Sequence, residues 1–316
     1  MSGQTGRIIF AGSPEFAVPA LHAIADSRHE LCAVLTQPDR PSGRGRTLRA
    51  GPVKSAASAL GYEVLQPQTL RDQTIQAQLR ELAPDLMVVV AYGQLLPEEV
   101  LTIPVRGCVN LHASLLPRWR GASPIQAAIR AGDTHTGVSL MQLDAGLDTG
   151  PVHASVGLPI GPRETAGELH DRLAEAGAGL LADYLDALVA GESTPRPQSD
   201  DGVTYAGRID KADAVIDWSD SADAIDRQIR AYVPWPVAET GLDGARLRVW
   251  AAEPCACPGA GPAGPGQVLG VDDRGIVVGT GSGCLRLLDV QLPGRQRVRA
   301  VDFANGVAVT GKRLGS

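Results

Sequence analysis

The stretch Gly107-Cys108-Val109-Asn110-Leu111-His112-Ala113-Ser114-Leu115-Leu116-Pro117-Arg118-Trp119-Arg120-Gly121 reads as a buried β-strand that runs straight into a loop. Its apolar entry suits a strand, and Pro117 and Gly121 stop it from continuing in either regular form. Asn110 and His112 are two residues apart, so a strand turns both to one face. This sets a carboxamide beside an imidazole at the C-terminal end of a strand, where open parallel α/β sheets bind ligands. A histidine in a strand is often only a packed core residue. The Ser-Leu-Leu-Pro run and Gly121 that follow set this one apart.

Outward from that strand, elements alternate. Asp85 to Ala91 is a continuous apolar strand, the pattern of a sheet covered on both faces. Arg7 to Gly12 is a first buried strand and Leu31 to Leu35 a second. Between them Ser13 is placed to cap a helix that has Pro14 at its first position. Only one glycine follows the first strand, so the dinucleotide fingerprint is missing. Helices are expected over 53–60, 70–82, from Ser123, and over 165–189, with further strands at 62–65, 137–143 and 152–160. The class is α/β, a Rossmann-like doubly wound sheet. Glu192 to Gly202, rich in Pro, Ser and Asp, reads as a linker. Beyond it a helix over 222–232 and short strands at 246–251, 266–269, 275–280 and 284–290 suggest a small OB-like β-barrel. The expected organisation is a catalytic domain at 1–190, a linker at 191–207 and a second domain at 208–316.

A chain of 316 residues can bury two cores. Its net charge, 29 − 35 = −6, does not point to nucleic acid, although clustering of basic residues matters more than the total. Such a cluster exists. The loop Thr36 to Arg49 carries Arg40, Arg44, Arg46 and Arg49, with Lys54 close behind, against Asp39 alone. A loop this long and this basic suits an arm that contacts phosphates. The five cysteines, odd in number and irregular in spacing, read as free thiols in a reducing compartment. Cys255-Ala256-Cys257 is too tight for a usual zinc pair, and no histidine follows His170, so no metal is expected. No leader pattern and no apolar run of about 18 residues is present, which gives a cytoplasmic expectation without membrane contact.

Asp148 completes a chemical set. It sits in the glycine-flanked turn Gly146-Leu147-Asp148-Thr149-Gly150, from which a carboxylate can reach a neighbouring strand end. A neutral donor, an imidazole and a carboxylate suit acyl transfer to an amine. Asn110 and His112 can stabilise charge on a carbonyl oxygen, and His112 with Asp148 can move protons. Serine-hydrolase chemistry fits less well, because Ser114 shares a segment with His112 and no G-x-S-x-G elbow exists.

The pattern Asn110-x-His112-x-Ser114-x-Leu116-Pro117 with Gly121, followed by Leu147-Asp148-Thr149-Gly150-Pro151, resembles the formyl transferases that use 10-formyltetrahydrofolate. The resemblance implies that Asn110, His112 and Asp148 are catalytic and that Ser114, Leu115, Leu116 and Pro117 contact the folate. It further implies that Met87, Val88, Val90, Tyr92, Gly93 and Gln94 line a pterin pocket, largely through backbone groups. Arg7 to Gly12, Thr36 to Pro41, Trp218 and Trp235-Pro236 are similar to the members of that family whose acceptor is methionyl initiator tRNA. On that likeness the basic loop enters the acceptor arm, with Arg44 at the position of an important arginine and Arg40, Arg46 and Arg49 beside it. The second domain then lies along the tRNA, with Lys211, Arg297, Arg299 and Lys312 as candidate phosphate contacts. The expected cosubstrate is 10-formyltetrahydrofolate and the expected state a monomer. A different acceptor, glycinamide ribonucleotide or a sugar nucleotide, or hydrolysis alone, is the competing expectation. A non-catalytic folate- or RNA-binding protein fits poorly with an intact Asn110, His112 and Asp148.

Overall fold

The computed structural model describes residues 5–42, 47–258 and 264–315. By contacts the chain divides into two compact units. One comprises the chain up to Pro124, His135–Pro159 and His170–Ala206; the other comprises Ile125–Thr134, Ile160–Leu169 and the chain from Gly207 onward.

The first unit is built on strands β1 (Arg7–Gly12), β2 (Glu30–Leu35), the short pair β3 (Arg40–Ser42) and β4 (Thr47–Arg49), β5 (Val64–Leu65), β6 (Leu86–Val90), β7 (Cys108–His112), β8 (Arg120–Gly121), β9 (His135–Gln142), β10 (Val152–Pro159) and β11 (Tyr205–Ala206). Seven of them form one sheet in the order β10-β9-β7-β6-β1-β2-β5. β7, β6, β1, β2 and β5 run parallel, and β9 and β10 close the far edge antiparallel. Every residue of β6 is buried, as its unbroken apolar run requires for a sheet covered on both faces. The order of strands reverses at β1, which pairs with β6 on one side and β2 on the other. The helices before Gly207 are α1 (Val18–Ala25), α2 (Pro52–Ala59), α3 (Gln73–Glu81), α4 (Glu98–Leu101), α5 (Pro124–Ala131), which from Ile125 belongs to the second unit, and α6 (Ala166–Ala190), which belongs to the first from His170 onward. Asp72 caps α3 by accepting from the Thr74 N–H at 2.8 Å. α6 starts at a reciprocal box: Thr165 N–H donates to Glu168 at 2.9 Å and Glu168 N–H to the Thr165 hydroxyl at 3.3 Å. The Thr165 N–H and hydroxyl, both donating to it, hold the Glu168 carboxyl below its ordinary range.

Two expectations are corrected here. Ser13 does not cap a helix. The chain first makes a 3-10 turn at Glu15–Ala17, and α1 begins only at Val18. Ser13 instead sits at the open end of β1, where its hydroxyl donates to the Tyr92 carbonyl at 2.9 Å and accepts from Gln37 N–H at 3.2 Å. It ties the ends of three neighbouring strands together. The basic loop is not wholly irregular either, because β3 and β4 pair antiparallel within it, Arg40 opposite Arg49. Arg44 and Arg46 lie outside the described residues.

The second unit holds an antiparallel, barrel-like sheet of β12 (Glu239–Leu242), β13 (Ala245–Cys255), β14 (Val268–Val271), β15 (Ile276–Gly279), β16 (Cys284–Gln291) and β17 (Val298–Arg299), with helices α7 (Ala222–Ala231) and α8 (Ala300–Gly306). Trp218, Ile225, Ile229, Leu247, Leu285 and Leu287 are among the residues of its core. β12 was not expected, yet its hairpin carries the usual signal. Asp243 and Gly244 between β12 and β13 both have positive φ, +52° and +76°, as a tight two-residue turn demands. The reading of five free thiols is corrected for two of them. Antiparallel pairing sets Cys255 opposite Cys284, and Cys257, two residues on, forms a disulfide with Cys284 at a Cα separation of 5.3 Å. Cys32, Cys108 and Cys255 are free. Among the described residues no helix is long and apolar enough to cross a membrane.

Candidate active site

Asn110, His112 and Asp148 come together in the first unit. Asn110 and His112 lie on β7, where Asn110 is opposite Met141 and His112 opposite Ser139 of β9. His112 is buried and Asn110 half-buried. Asp148 enters from the turn after β9 with φ +52°, a left-handed conformation that Asp tolerates better than most residues. Its Oδ2 lies 3.6 Å from His112 Nδ1 and accepts from the Gly121 N–H at 2.7 Å. The other ring nitrogen, Nε2, is 2.9 Å from the Trp119 carbonyl. A carbonyl only accepts, so Nε2 carries a proton, and the carboxylate faces the position of a second proton on Nδ1. An imidazole with an acceptor near each nitrogen, beside a carboxamide, can hold a developing negative charge and pass a proton.

The loop after β7 is held rigidly. Ser114 donates to the Arg118 carbonyl at 2.5 Å. Ser139 donates to the Ser114 carbonyl at 2.8 Å and accepts from the Leu116 N–H at 3.1 Å. Ser114 is therefore buried and engaged, whereas Leu115, Leu116 and Pro117 are only partly covered; the Leu116–Pro117 bond is cis. Met87, Val88 and Val90 have fully buried side chains, and Met87 and Val88 pair with both β1 and β7. Their side chains lie within the sheet, and exposed surface begins after Val90, at Ala91. There the Tyr92 carbonyl accepts from Ser13 and Gln37, the Gly93 carbonyl accepts from Gln37 at 2.7 Å, and the Gln94 side chain donates to the Pro67 carbonyl at 2.9 Å. Tyr92 is itself buried. Among the described residues its hydroxyl has no hydrogen-bond partner, and burial pushes its phenol up to about 12. Leu96 and Leu143 pack on the same core cluster as Tyr92, while Leu95 and Leu147 stay exposed.

A cavity of about 560 Å³ opens at the C-terminal ends of β1, β2 and β6, lined by Ser13, Thr36, Gln37, Asp39, Arg49 and Tyr92 among others. Lys54 is turned inward to Asp39 at 2.7 Å and, with Gln66, holds that carboxyl below its ordinary range. Arg49 is exposed. In the second unit Lys211 and Arg299 are exposed, Arg297 pairs with Asp289 and stands over the Trp250 ring at 5.4 Å, and Lys312 pairs with Asp243. Among the described residues no group of three or more His, Cys, Asp or Glu side chains is arranged to hold a metal ion.

Sequence patterns missed the partners of this site in the segment 191–207. Gln198 donates to the Asp148 and Gly150 carbonyls, both at 2.8 Å, and its oxygen accepts from Arg120 Nη2 at 2.8 Å. The Trp119 N–H donates to Thr204 Oγ1 at 2.8 Å. A Pro- and Asp-rich connection gives no local sign of such contacts, which depend on tertiary placement.

Residues 6–185 match the formyl transferase family, and residues 208–308 match the formyl transferase C-terminal domain. The chain belongs to the formyl transferase family. Within it, the methionyl-tRNA formyltransferase of Stenotrophomonas maltophilia (strain K279a) is 54% identical over 300 residues, covering 95% of this chain and 97% of that relative. That of Methylococcus capsulatus (strain ATCC 33009 / NCIMB 11132 / Bath) is 50% identical over 310 residues, covering 98% and 100%. Among solved structures, HypX from Aquifex aeolicus in complex with tetrahydrofolic acid superposes with a TM-score of 0.66 at 17% identity, over 98% of this chain and 49% of that one. The chain spans about half the length of that protein, and the likeness speaks for the fold alone.

Proposed function

We propose that this protein transfers the formyl group of 10-formyltetrahydrofolate to the α-amino group of methionyl initiator tRNA. The observation that carries it is the identity of 54% over 95% of the chain to a methionyl-tRNA formyltransferase, joined to the convergence of Asn110, His112 and Asp148 at one strand end. The methionyl amine attacks the formyl carbon, the bond from that carbon to N10 of the folate breaks, and the proton given up by the amine goes to the leaving nitrogen as tetrahydrofolate departs. Asn110 and the His112 ring face the negative charge that grows on the formyl oxygen, where oriented donors do most. Asp148 holds the ring's orientation and accepts proton character from it. Val90, Tyr92, Gly93 and Gln94, with Ser114 to Pro117, form the folate side of the site, Met87 and Val88 supporting it from within the sheet. Residues 1–190 carry the chemistry. Arg40, Arg44, Arg46 and Arg49, and in 208–316 Lys211, Arg297, Arg299 and Lys312, supply phosphate contacts in a monomer acting in the cytoplasm.

The test is competition among acceptors. Methionyl initiator tRNA, glycinamide ribonucleotide, an amino-sugar nucleotide and water are offered together with formyl-folate at low and moderate salt. Product on tRNA alone, falling steeply with salt as phosphate contacts require, supports the assignment. Transfer to a small acceptor, or release of formate only, overturns it.

A further inference from the structure

We infer that Gln198 is a positioning residue for formyl transfer: its amide fixes the Asp148 turn against Arg120, and through that turn the carboxylate that faces His112. The inference rests on reading Asn110, His112 and Asp148 as the reacting site. Gln198 lies in the segment that connects the chemistry-bearing domain to the next, yet its side chain is fully engaged. Its Nε2 donates to two carbonyls, Asp148 and Gly150, each at 2.8 Å. Its Oε1 accepts from Arg120 Nε at 3.1 Å and Nη2 at 2.8 Å. The amide is thus held between the guanidinium of Arg120, a residue 9% exposed, and the main chain of the turn, and a charged donor on its oxygen strengthens the donation from its nitrogen.

The contacts close a ring. From the Arg120 guanidinium the bonds run to Gln198 and on to the Asp148 carbonyl. From the Asp148 carboxylate they return to the Gly121 N–H at 2.7 Å, one residue from Arg120. Within this ring Asp148 keeps its left-handed backbone. The same segment secures the other side of the imidazole. Thr204 Oγ1 accepts from the Trp119 N–H, the Thr204 carbonyl accepts from the Arg120 N–H at 2.9 Å, and Tyr205–Ala206 pair with Arg120–Gly121. Both groups that face the His112 nitrogens, the Trp119 carbonyl and the Asp148 carboxylate, are therefore set by residues 198–206. A displacement of either by an ångström misaligns the proton path without touching substrate.

Gln198→Glu separates positioning from packing. The carboxylate keeps an acceptor for Arg120 but presents oxygen to two carbonyls. In formylation of methionyl-tRNA by the full chain, kcat should fall about 10- to 100-fold, with KM for formyl-folate and for tRNA and the melting temperature held near wild type. Combined with Asp148→Asn, Gln198→Glu should lower kcat by less than about twofold further, because its effect runs through that carboxylate. If Gln198→Glu melts early, Gln198→Met, which keeps length and removes the polar head, is read in the same way. A kcat at the wild-type level, or an equal loss in the presence and absence of Asp148→Asn, overturns the positioning role. If Asp148→Asn alone leaves kcat intact, the reading of the site fails first and the proposal falls with it.

Discussion

Asp148→Asn isolates the charge of the candidate site with little other disturbance. Asparagine also tolerates the left-handed backbone at φ +52°, and its oxygen can still accept from Gly121 N–H as Asp148 does at 2.7 Å. What is lost is a negative charge 3.6 Å from His112 Nδ1. At that distance and an effective dielectric of about 20, a carboxylate attracts a fully charged imidazolium by ~4–5 kcal/mol. The carboxylate is partly open to solvent, 14% exposed, and the carboxamide dipole that replaces it restores part of the attraction. A net loss of ~3 kcal/mol in the transition state lowers kcat about a hundredfold. Stability should change by less than ~1 kcal/mol, since the hydrogen bond to Gly121 survives. Single-turnover formylation at saturating formyl-folate and tRNA reads kcat, and thermal unfolding reads stability. A kcat within about threefold of wild type would refute the electrostatic role. A large fall in melting temperature would show that Asp148 matters for folding instead.

Other consequences follow from burial and charge. Tyr92→Phe removes a buried hydroxyl that has no partner among the described residues; it should be neutral or stabilising by ~1 kcal/mol in denaturant unfolding, and a clear loss would reveal a partner for that group. Asp226, 7% exposed, bridges Arg163 and Arg230 at 2.8 Å each; Asp226→Ala takes the carboxylate from both, though each keeps a carbonyl acceptor, and should cost ~1–3 kcal/mol, against which no measurable loss would count. Arg286 holds the Asp272 carboxyl below its ordinary range and also pairs with Glu253 at 2.7 Å. A depressed carboxyl contributes stability above its unfolded value, about 4, and loses it as pH falls through the folded one. The melting temperature of Arg286→Gln should therefore fall less than that of wild type between about pH 5 and pH 2, and parallel curves would contradict the pairing.

The parts of this fold that could be read in advance are those with a local cause. β6 is legible because five consecutive residues are apolar, and the pairing of Asn110 with His112 because strand geometry sets every second residue on one face. Asp148 is legible because glycines bracket it in a turn. The β12–β13 hairpin was also written locally, in Asp243-Gly244, but a short strand containing Gly241 hid it. The rest depends on contacts between distant residues. Gln198 meets a turn 50 residues earlier, and Cys257 meets a cysteine 27 residues away; no periodicity announces either. Ser13 has the composition of a cap, yet the convergence of β1, β2 and β6 gives its hydroxyl partners outside its own helix.

The most direct measurement of the central claim follows folate binding and formyl transfer side by side in wild type and His112→Ala. Binding is read by equilibrium titration with formyl-folate, and transfer by product on methionyl initiator tRNA. His112→Ala should bind the folate with nearly unchanged affinity and transfer at least about a hundredfold more slowly. Transfer at the wild-type rate, or a loss explained wholly by failure to bind the folate, would contradict the catalytic role of His112.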